Sequence, residues 1–172
     1  MEFDPFDPNS VPKKRTAMGR FAHEGVVPVP AVGGKPGGWC RCRRWWVSRW
    51  CSISGDDSTN EYIYKYVSNA NYEEGMTGDD LLDDGTLYVA RFNDDGTGEW
   101  LALDFDDVDF QADMSESPIK FTSQADVLVN TRSAADMRGA TPMDRPEWGA
   151  VNPGDQRSLL HTHKQQRPPV CG

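Results

Sequence analysis

An all-β fold is what this sequence predicts, and three observations predict it. Tyr62-Ile63-Tyr64-Lys65-Tyr66-Val67 and Thr86-Leu87-Tyr88-Val89-Ala90-Arg91-Phe92 place β-branched and aromatic residues with a period of two, which sends successive side chains to opposite faces of a strand. Gly98-Glu99-Trp100-Leu101-Ala102-Leu103 resumes the pattern after a tight break. The break, Asn93-Asp94-Asp95-Gly96-Thr97-Gly98, has hairpin chemistry, because Asp-Gly supplies the positive φ that such turns require. Residues 86–103 are therefore expected to form a β-hairpin.

Further along, Ser123-Gln124-Ala125-Asp126-Val127-Leu128-Val129-Asn130-Thr131-Arg132-Ser133-Ala134-Ala135-Asp136 changes character. It is rich in helix formers and follows Ser and Thr residues that can cap a first turn, so it predicts one short inserted helix of about three turns. Short strands at close spacing with Gly and Asp turns imply a sandwich, a barrel or a propeller.

Composition narrows the function classes. A chain of 172 residues has a length prior of about one domain. Its 37% hydrophobic content and mean hydropathy of -0.67 leave little apolar material for a deep core. No segment approaches the roughly 20 apolar residues of a membrane helix. Met1-Glu2-Phe3-Asp4-Pro5 has neither a basic region nor an apolar one, so the chain as written carries no export signal and is expected to be cytoplasmic. The net charge of -9, from 27 acidic against 18 basic residues, argues against nucleic acid, which is held by basic side chains replacing counterions. Calcium suits such a surface better than DNA does, and no membrane partner is expected.

Two charged motifs stand out. Asp144-Arg145-Pro146-Glu147-Trp148-Gly149 and Arg20-Phe21-Ala22-His23-Glu24-Gly25 each set a guanidinium or carboxylate in a short turn with an apolar anchor. A guanidinium is a planar fork of donors suited to a phosphate, and clustered carboxylates suit hard cations. Together they point to a metal-assisted phosphate site. In the first motif Pro146 is expected to hold Arg145 in an extended backbone, Trp148 to anchor the loop and Gly149 to allow close approach; an ordinary surface turn with a salt bridge has the same residues. In the second, Glu24 is preferred over His23 as a ligand, because a glutamate in an apolar setting is costly to bury unless paired or metal-bound. Gly55-Asp56-Asp57-Ser58 either adds carboxylate oxygens to a calcium site or is a solvated turn. Asp79-Asp80, Asp83-Asp84, Asp94-Asp95 and Asp104 to Asp109 lack the spacing of a helix-loop-helix calcium loop and are read as solvated turns.

Two stretches break the grammar. Gly37-Gly38-Trp39-Cys40-Arg41-Cys42-Arg43-Arg44-Trp45-Trp46-Val47-Ser48-Arg49-Trp50-Cys51 and the tail from Ser158 to Gly172 hold all four cysteines and have no packing periodicity. Cys40, Cys42 and Cys51 lack the two-residue spacing of a zinc cluster and have no histidine nearby. A basic tryptophan run also suits nucleic acid or a membrane surface, but the acidic remainder of the chain opposes both.

Asp4-Pro5-Phe6-Asp7-Pro8, Lys14-Arg15-Thr16-Ala17-Met18-Gly19-Arg20-Phe21-Ala22-His23-Glu24-Gly25, Gly55-Asp56-Asp57 with Glu61-Tyr62-Ile63-Tyr64-Lys65-Tyr66-Val67, and Asp144-Arg145-Pro146-Glu147-Trp148-Gly149 resemble, in that order, the C-terminal half of PhoX-type alkaline phosphatases. The resemblance implies a partial β-propeller and a phosphomonoesterase that uses iron and calcium and is exported by the twin-arginine route. It implies that Glu24 and Glu147 are metal ligands, that Arg145 grips the substrate phosphate, and that Asp56 and Asp57 are further ligands. The similarity covers roughly residues 2–36 and 53–157, beginning in the middle of the family domain after the part that supplies other ligands, including a cysteine. None of Cys40, Cys42, Cys51 and Cys171 lies in a matching motif. The fragment alone is expected to be inactive; the alternatives are a non-enzymatic calcium-binding β-module and an inactive relic.

The two odd stretches also have a genetic reading. Trp, Cys and Arg codons in GC-rich DNA become Val, Pro and Ala codons one nucleotide away, and an apolar family strand precedes Gly55-Asp56-Asp57. The organisation expected is a partial phosphatase domain over residues 1–157, with residues 37–52 out of frame, followed by an out-of-frame tail over residues 158–172. Sequencing the locus on independent template checks this: neighbouring frames are expected to restore a valine-rich strand before Gly55 and a second strand after residue 157. Frames that restore neither overturn it.

Overall fold

The structure, a computed structural model, describes residues 1–28, 49–56, 59–152 and 158–162. Its strands, in chain order, are β1 (His23–Pro28), β2 (Arg49–Asp56), β3 (Thr59–Glu61), β4 (Ile63–Asn71), β5 (Gly85–Phe92), β6 (Gly98–Ala102), β7 (Met143–Asp144), β8 (Pro146–Val151) and β9 (Ser158–Thr162). Its α-helices are α1 (Gly78–Leu81), α2 (Val108–Glu116), α3 (Gln124–Val129) and α4 (Thr131–Met137). One five-stranded antiparallel sheet runs in the order β1-β2-β4-β5-β6, and two small sheets pair β3 with β7 and β8 with β9. The fold is mostly antiparallel β with no closed barrel among the described residues.

The expected hairpin is present. Phe92 pairs with Gly98, Asn93 and Thr97 close the loop with a 2.9 Å backbone bond, and Gly96 takes the positive φ of 80°. β4 is the centre of the sheet, and both of its faces are covered. Tyr64 lies opposite Val89, and Tyr66 opposite Leu87, on the side that packs with Leu101, Phe110 of α2, Val127 of α3, and Ala134 and Ala135 of α4. On the other side the Lys65 ammonium sits over the rings of Tyr88, at 4.8 Å, and Trp100, at 4.7 Å, which lets a cation lie within a sheet against π faces.

The helical part differs from the expectation of one short inserted helix. The segment expected as a single helix is broken at Asn130, because the Leu128 carbonyl is taken by the Arg20 N–H, at 2.9 Å, and by the Thr131 hydroxyl, at 2.7 Å. Those bonds replace the next intrahelical one. Ser123 does cap α3, accepting from the Asp126 N–H. α2 was hidden by its acids: Asp107, read as part of a solvated run, accepts from the Phe110 N–H at 2.9 Å and starts the helix. α1 begins with a capping box between Thr77 and Asp80. At the C-terminus, Ser158–Thr162 forms a strand despite its lack of alternation, paired with β8.

Buried phenols give the fold a pH dependence. Burial pushes the Tyr66 phenol above its ordinary value of 10.0, with Asp84 and Asp83 adding to the shift, and its hydroxyl donates to the Leu81 carbonyl at 3.1 Å. Burial first and then Asp136, which accepts from the Tyr62 hydroxyl, push Tyr62 up as well. The fold favours the protonated form of each, so their contribution is fully present below about pH 10 and is lost as pH rises above it. Denaturant unfolding followed between pH 9 and 12 is expected to show stability falling by up to about 1.4 kcal/mol per pH unit for each phenol. In Tyr66→Phe the slope should drop by one proton's worth.

Candidate functional site

The residues singled out from sequence lie where β1, β2 and β8 meet. β1 pairs with β2 so that His23 faces Asp56 and Gly25 faces Gly55, which leaves Glu24 as the extra residue of a β-bulge. A bulge bends a strand and re-aims a side chain. The ring of His23 ties this edge together: Nε2 lies 3.2 Å from the Gly19 carbonyl and Nδ1 3.1 Å from the Ser54 hydroxyl. With Nε2 donating to the carbonyl, Nδ1 is left to accept from Ser54. Phe21 packs on the imidazole, with centroids 3.6 Å apart, and stacks on Tyr64 at 4.1 Å. His23 is held as a strut between the turn before β1 and the neighbouring strand.

β8 reaches this edge through a contact that only glycine permits. A Cβ placed on Gly55 would overlap the carbonyl of Pro146, so β2 and β8 approach backbone to backbone there. Residues on each side of that contact are the predicted ones, with Arg145 and Glu147 flanking Pro146 and Asp56 following Gly55. In β8 the register with β9 shifts between Pro146 and Gly149, which places Glu147 and Trp148 at a second bulge.

Arg145 itself departs from the expectation of an extended backbone. It has φ 44°, in the left-handed region. The reason is topological: β7 ends at Asp144 paired with Thr59, β8 begins at Pro146 paired with Thr162, and one residue must turn the chain from one sheet to the other. A non-glycine residue in that region costs on the order of 1–3 kcal/mol and persists where the surroundings over-determine it. Among the described residues Asn60, in the facing strand β3, is the other such non-glycine residue, at φ 59°.

Backbone geometry thus brings Glu24, Asp56, Arg145 and Glu147 to one edge. Asp57 lies outside the described residues, and so do the side chains of Glu24, Asp56 and Glu147. Among the described residues no group of three His, Cys, Asp or Glu side chains is gathered as a metal cluster. By sequence Glu24, Asp56 and Glu147 are carboxylates, a residue type that suits a hard cation such as calcium. Of the cysteines, Cys40, Cys42 and Cys171 also lie outside the described residues, and Cys51 stands in β2.

One residue here was missed. Glu61, in β3 beside Met143, is fully buried and ion-paired with Arg132 of α4, while Asp136 one turn later accepts from Tyr62. α4 therefore clamps the strand that carries β7 and, through it, Arg145. Glu61 opens one of the motifs that carry the family resemblance, but nothing in its setting between Asn60 and Tyr62 signals a buried ion pair.

Gly55→Ala tests the contact. The added methyl is expected to push β8 off β2 and cost about 1–3 kcal/mol, read by thermal unfolding, with amide exchange rising first in β8 and at the β1 edge. Exchange unchanged in β8 would show that the two backbones are not held together at Gly55.

Comparison with known proteins gives the family. A family model for alkaline phosphatase PhoX matches residues 1–163. Among curated proteins nothing matches. A solved structure, Pseudomonas fluorescens PhoX in complex with vanadate, a transition state analogue, superposes with a TM-score of 0.71 at 38% sequence identity, covering 91% of this chain and 26% of that one. The chain thus spans about a quarter of the length of that relative. A match over nearly all its residues, in sequence and in fold, means that this chain belongs to the alkaline phosphatase PhoX family.

Proposed function

We propose that the chain supplies part of the active site of a metal-dependent phosphatase acting on phosphate monoesters, with Arg145 gripping the phosphate and Glu24, Glu147, Asp56 and Asp57 holding metal ions. The observation that carries this reading is the coincidence of predicted residues with backbone irregularities around one contact. Glu24 and Glu147 stand at bulges, Arg145 has a left-handed backbone, and Asp56 adjoins the Gly55–Pro146 approach. Irregularities of this kind collect where a side chain must be aimed rather than packed.

In this site the Arg145 fork binds the phosphoryl oxygens and stabilises the charge that grows on them in the transition state. The carboxylates at β1, β2 and β8 hold calcium, and iron by family resemblance. When bound, such cations neutralise the oxygens of the transferring group. The P. fluorescens relative binds vanadate, which supports a phosphoryl group as the ligand. The antiparallel sheets are, in this reading, part of a β-propeller whose remaining blades complete the site. On this reading turnover needs those remaining blades as well as the 172 residues, which correspond to 26% of the relative's chain.

Hydrolysis of p-nitrophenyl phosphate, with calcium and iron supplied, tests the proposal on the chain alone and on the chain co-expressed with the rest of a PhoX-length domain. Turnover is expected only from the second, and Arg145→Ala is expected to lower its kcat about 100- to 1,000-fold. Arg145→Lys should recover little, because an ammonium lacks the planar fork. Full activity in Arg145→Ala would remove the phosphate role. Calcium binding with no turnover in the completed domain would replace the enzyme with a calcium-binding module.

A further inference from the structure

We propose that Lys65, held between the rings of Tyr88 and Trp100, is a binding site for a small oxyanion, the phosphate or carboxylate group of a soluble ligand. The site is distinct from the one proposed around Arg145 and does not depend on it.

Alternation in β4 puts Lys65 on the face of the large sheet that points away from the helices. Tyr64 and Tyr66 turn into the core, so Ile63, Lys65 and Val67 turn outward. Lys65 lies opposite Tyr88, and Ala90, two residues on in β5, lies opposite Trp100. Direct cross-strand partners share a face, so both rings are on the side of the lysine. The side chain reaches across β5 until its ammonium is 4.8 Å from the centroid of Tyr88 and 4.7 Å from that of Trp100.

This placement buries a cation without an anion. Lys65 is 6% exposed. The chain has 27 acidic residues, yet none of them pairs with Lys65 among the described residues. Glu99, the neighbour of Trp100 in sequence, is on the opposite face and pairs with Arg91. On the lysine's own face Ile63, Val67, Tyr88, Ala90 and Trp100 supply no acid. Taking an ammonium out of water is costly unless its charge is paired, and the two rings return only part of that cost. A methionine would pack the same rings with no charge to desolvate. An oxyanion against the open side of the ammonium supplies the missing partner through charge-assisted hydrogen bonds. Trp100 is 38% exposed, which gives a small anion an approach along the indole.

The same face carries the segment that contains Arg145. Gly55 lies opposite Ile63, a Cβ on Gly55 would meet the Pro146 carbonyl, and Met143 packs on Ile63 and Ala90. Lys65 follows Ile63 by two positions, which puts its Cα roughly 8 Å from that of Gly55. An oxyanion at Lys65 therefore has two sources: free inorganic phosphate, or a second acidic group on an ester whose phosphate is held at Arg145.

NMR titration of the isotope-labelled 172-residue chain tests the site at the Lys65 ε-methylene and the Trp100 indole N–H, assigned with Lys65→Met and Trp100→Phe. Inorganic phosphate, exchanged for chloride at constant ionic strength, is expected to shift both signals to saturation. Lys65→Met, which keeps an unbranched stem over the rings, is expected to raise the Kd read at Trp100 by about tenfold or more, and Lys65→Arg, which keeps the charge, to hold it within about threefold. Arg145→Ala is expected to leave the Kd for inorganic phosphate within about twofold, so the site survives even if Arg145 has no phosphate role. Fructose bisphosphate identifies the source. Binding about tenfold tighter than that of inorganic phosphate, with the advantage lost in Arg145→Ala, assigns the oxyanion to a second group of an ester, and equal affinity assigns it to free phosphate. No saturable shift at Lys65 with either probe, an unchanged Kd in Lys65→Met, or the same shifts with chloride alone overturns the inference.

Discussion

The missing side chain at Gly55 is the constraint on which the site depends. Strand β8 belongs by hydrogen bonding to a small two-stranded sheet, and β2 to the large one. They meet because Gly55 lets the Pro146 carbonyl come in where a Cβ would stand. Three of the predicted residues flank that approach, since Arg145 and Glu147 are bonded to Pro146 and Asp56 to Gly55. Two sheets that share no ladder are joined at that point.

Regular and irregular structure are divided accordingly. β4, β5 and β6 pair without a register shift, and their inner face meets the helices through Tyr64, Tyr66, Leu87, Val89 and Leu101. The register shifts place extra residues in β1, β3, β8 and the Asn71 end of β4, and the left-handed non-glycine residues among those described are Asn60 of β3 and Arg145 between β7 and β8. A rigid scaffold can bear strain at one edge because its stability is earned elsewhere, and α4 helps by fastening Glu61 and Tyr62 through Arg132 and Asp136. Burying Glu61 costs desolvation, which its ion pair with Arg132 offsets.

How much of this was legible in the sequence depends on whether the signal was local. The hairpin at residues 86–103 was, since alternation and an Asp-Gly turn act within a few residues. The break at Asn130 was not, because Arg20, far away in the chain, supplies the N–H that captures the Leu128 carbonyl. α2 has a single buried apolar residue, Phe110, and its cap, Asp107, looks from sequence like any other acid in a run. At the site the residue types and their order were readable, but the geometry was not: the backbone of Arg145 is set by the two sheets it connects, and the bulge at Glu24 by pairing with a strand some thirty residues on.

Acidity, the most obvious property of the chain, turns out to be a poor guide to where a cation would sit. Asp79 is held below the usual carboxylate range first by Lys13 and then by Arg15, Asp80 by the backbone and hydroxyl of Thr77, and Asp95 by the hydroxyl and backbone of Thr97. Asp107 caps α2, Asp126 accepts from Thr122 and Asn130, and Asp113 pairs with Arg138. Each of these carboxylates already has its charge met by donors that a metal would have to displace. The backbone positions of Glu24, Asp56 and Glu147 stand apart from these, at two bulges and a strand end around Gly55. The charge of these acids is thus turn, cap and ion-pair chemistry, and the place proposed for a cation is instead where β1, β2 and β8 meet.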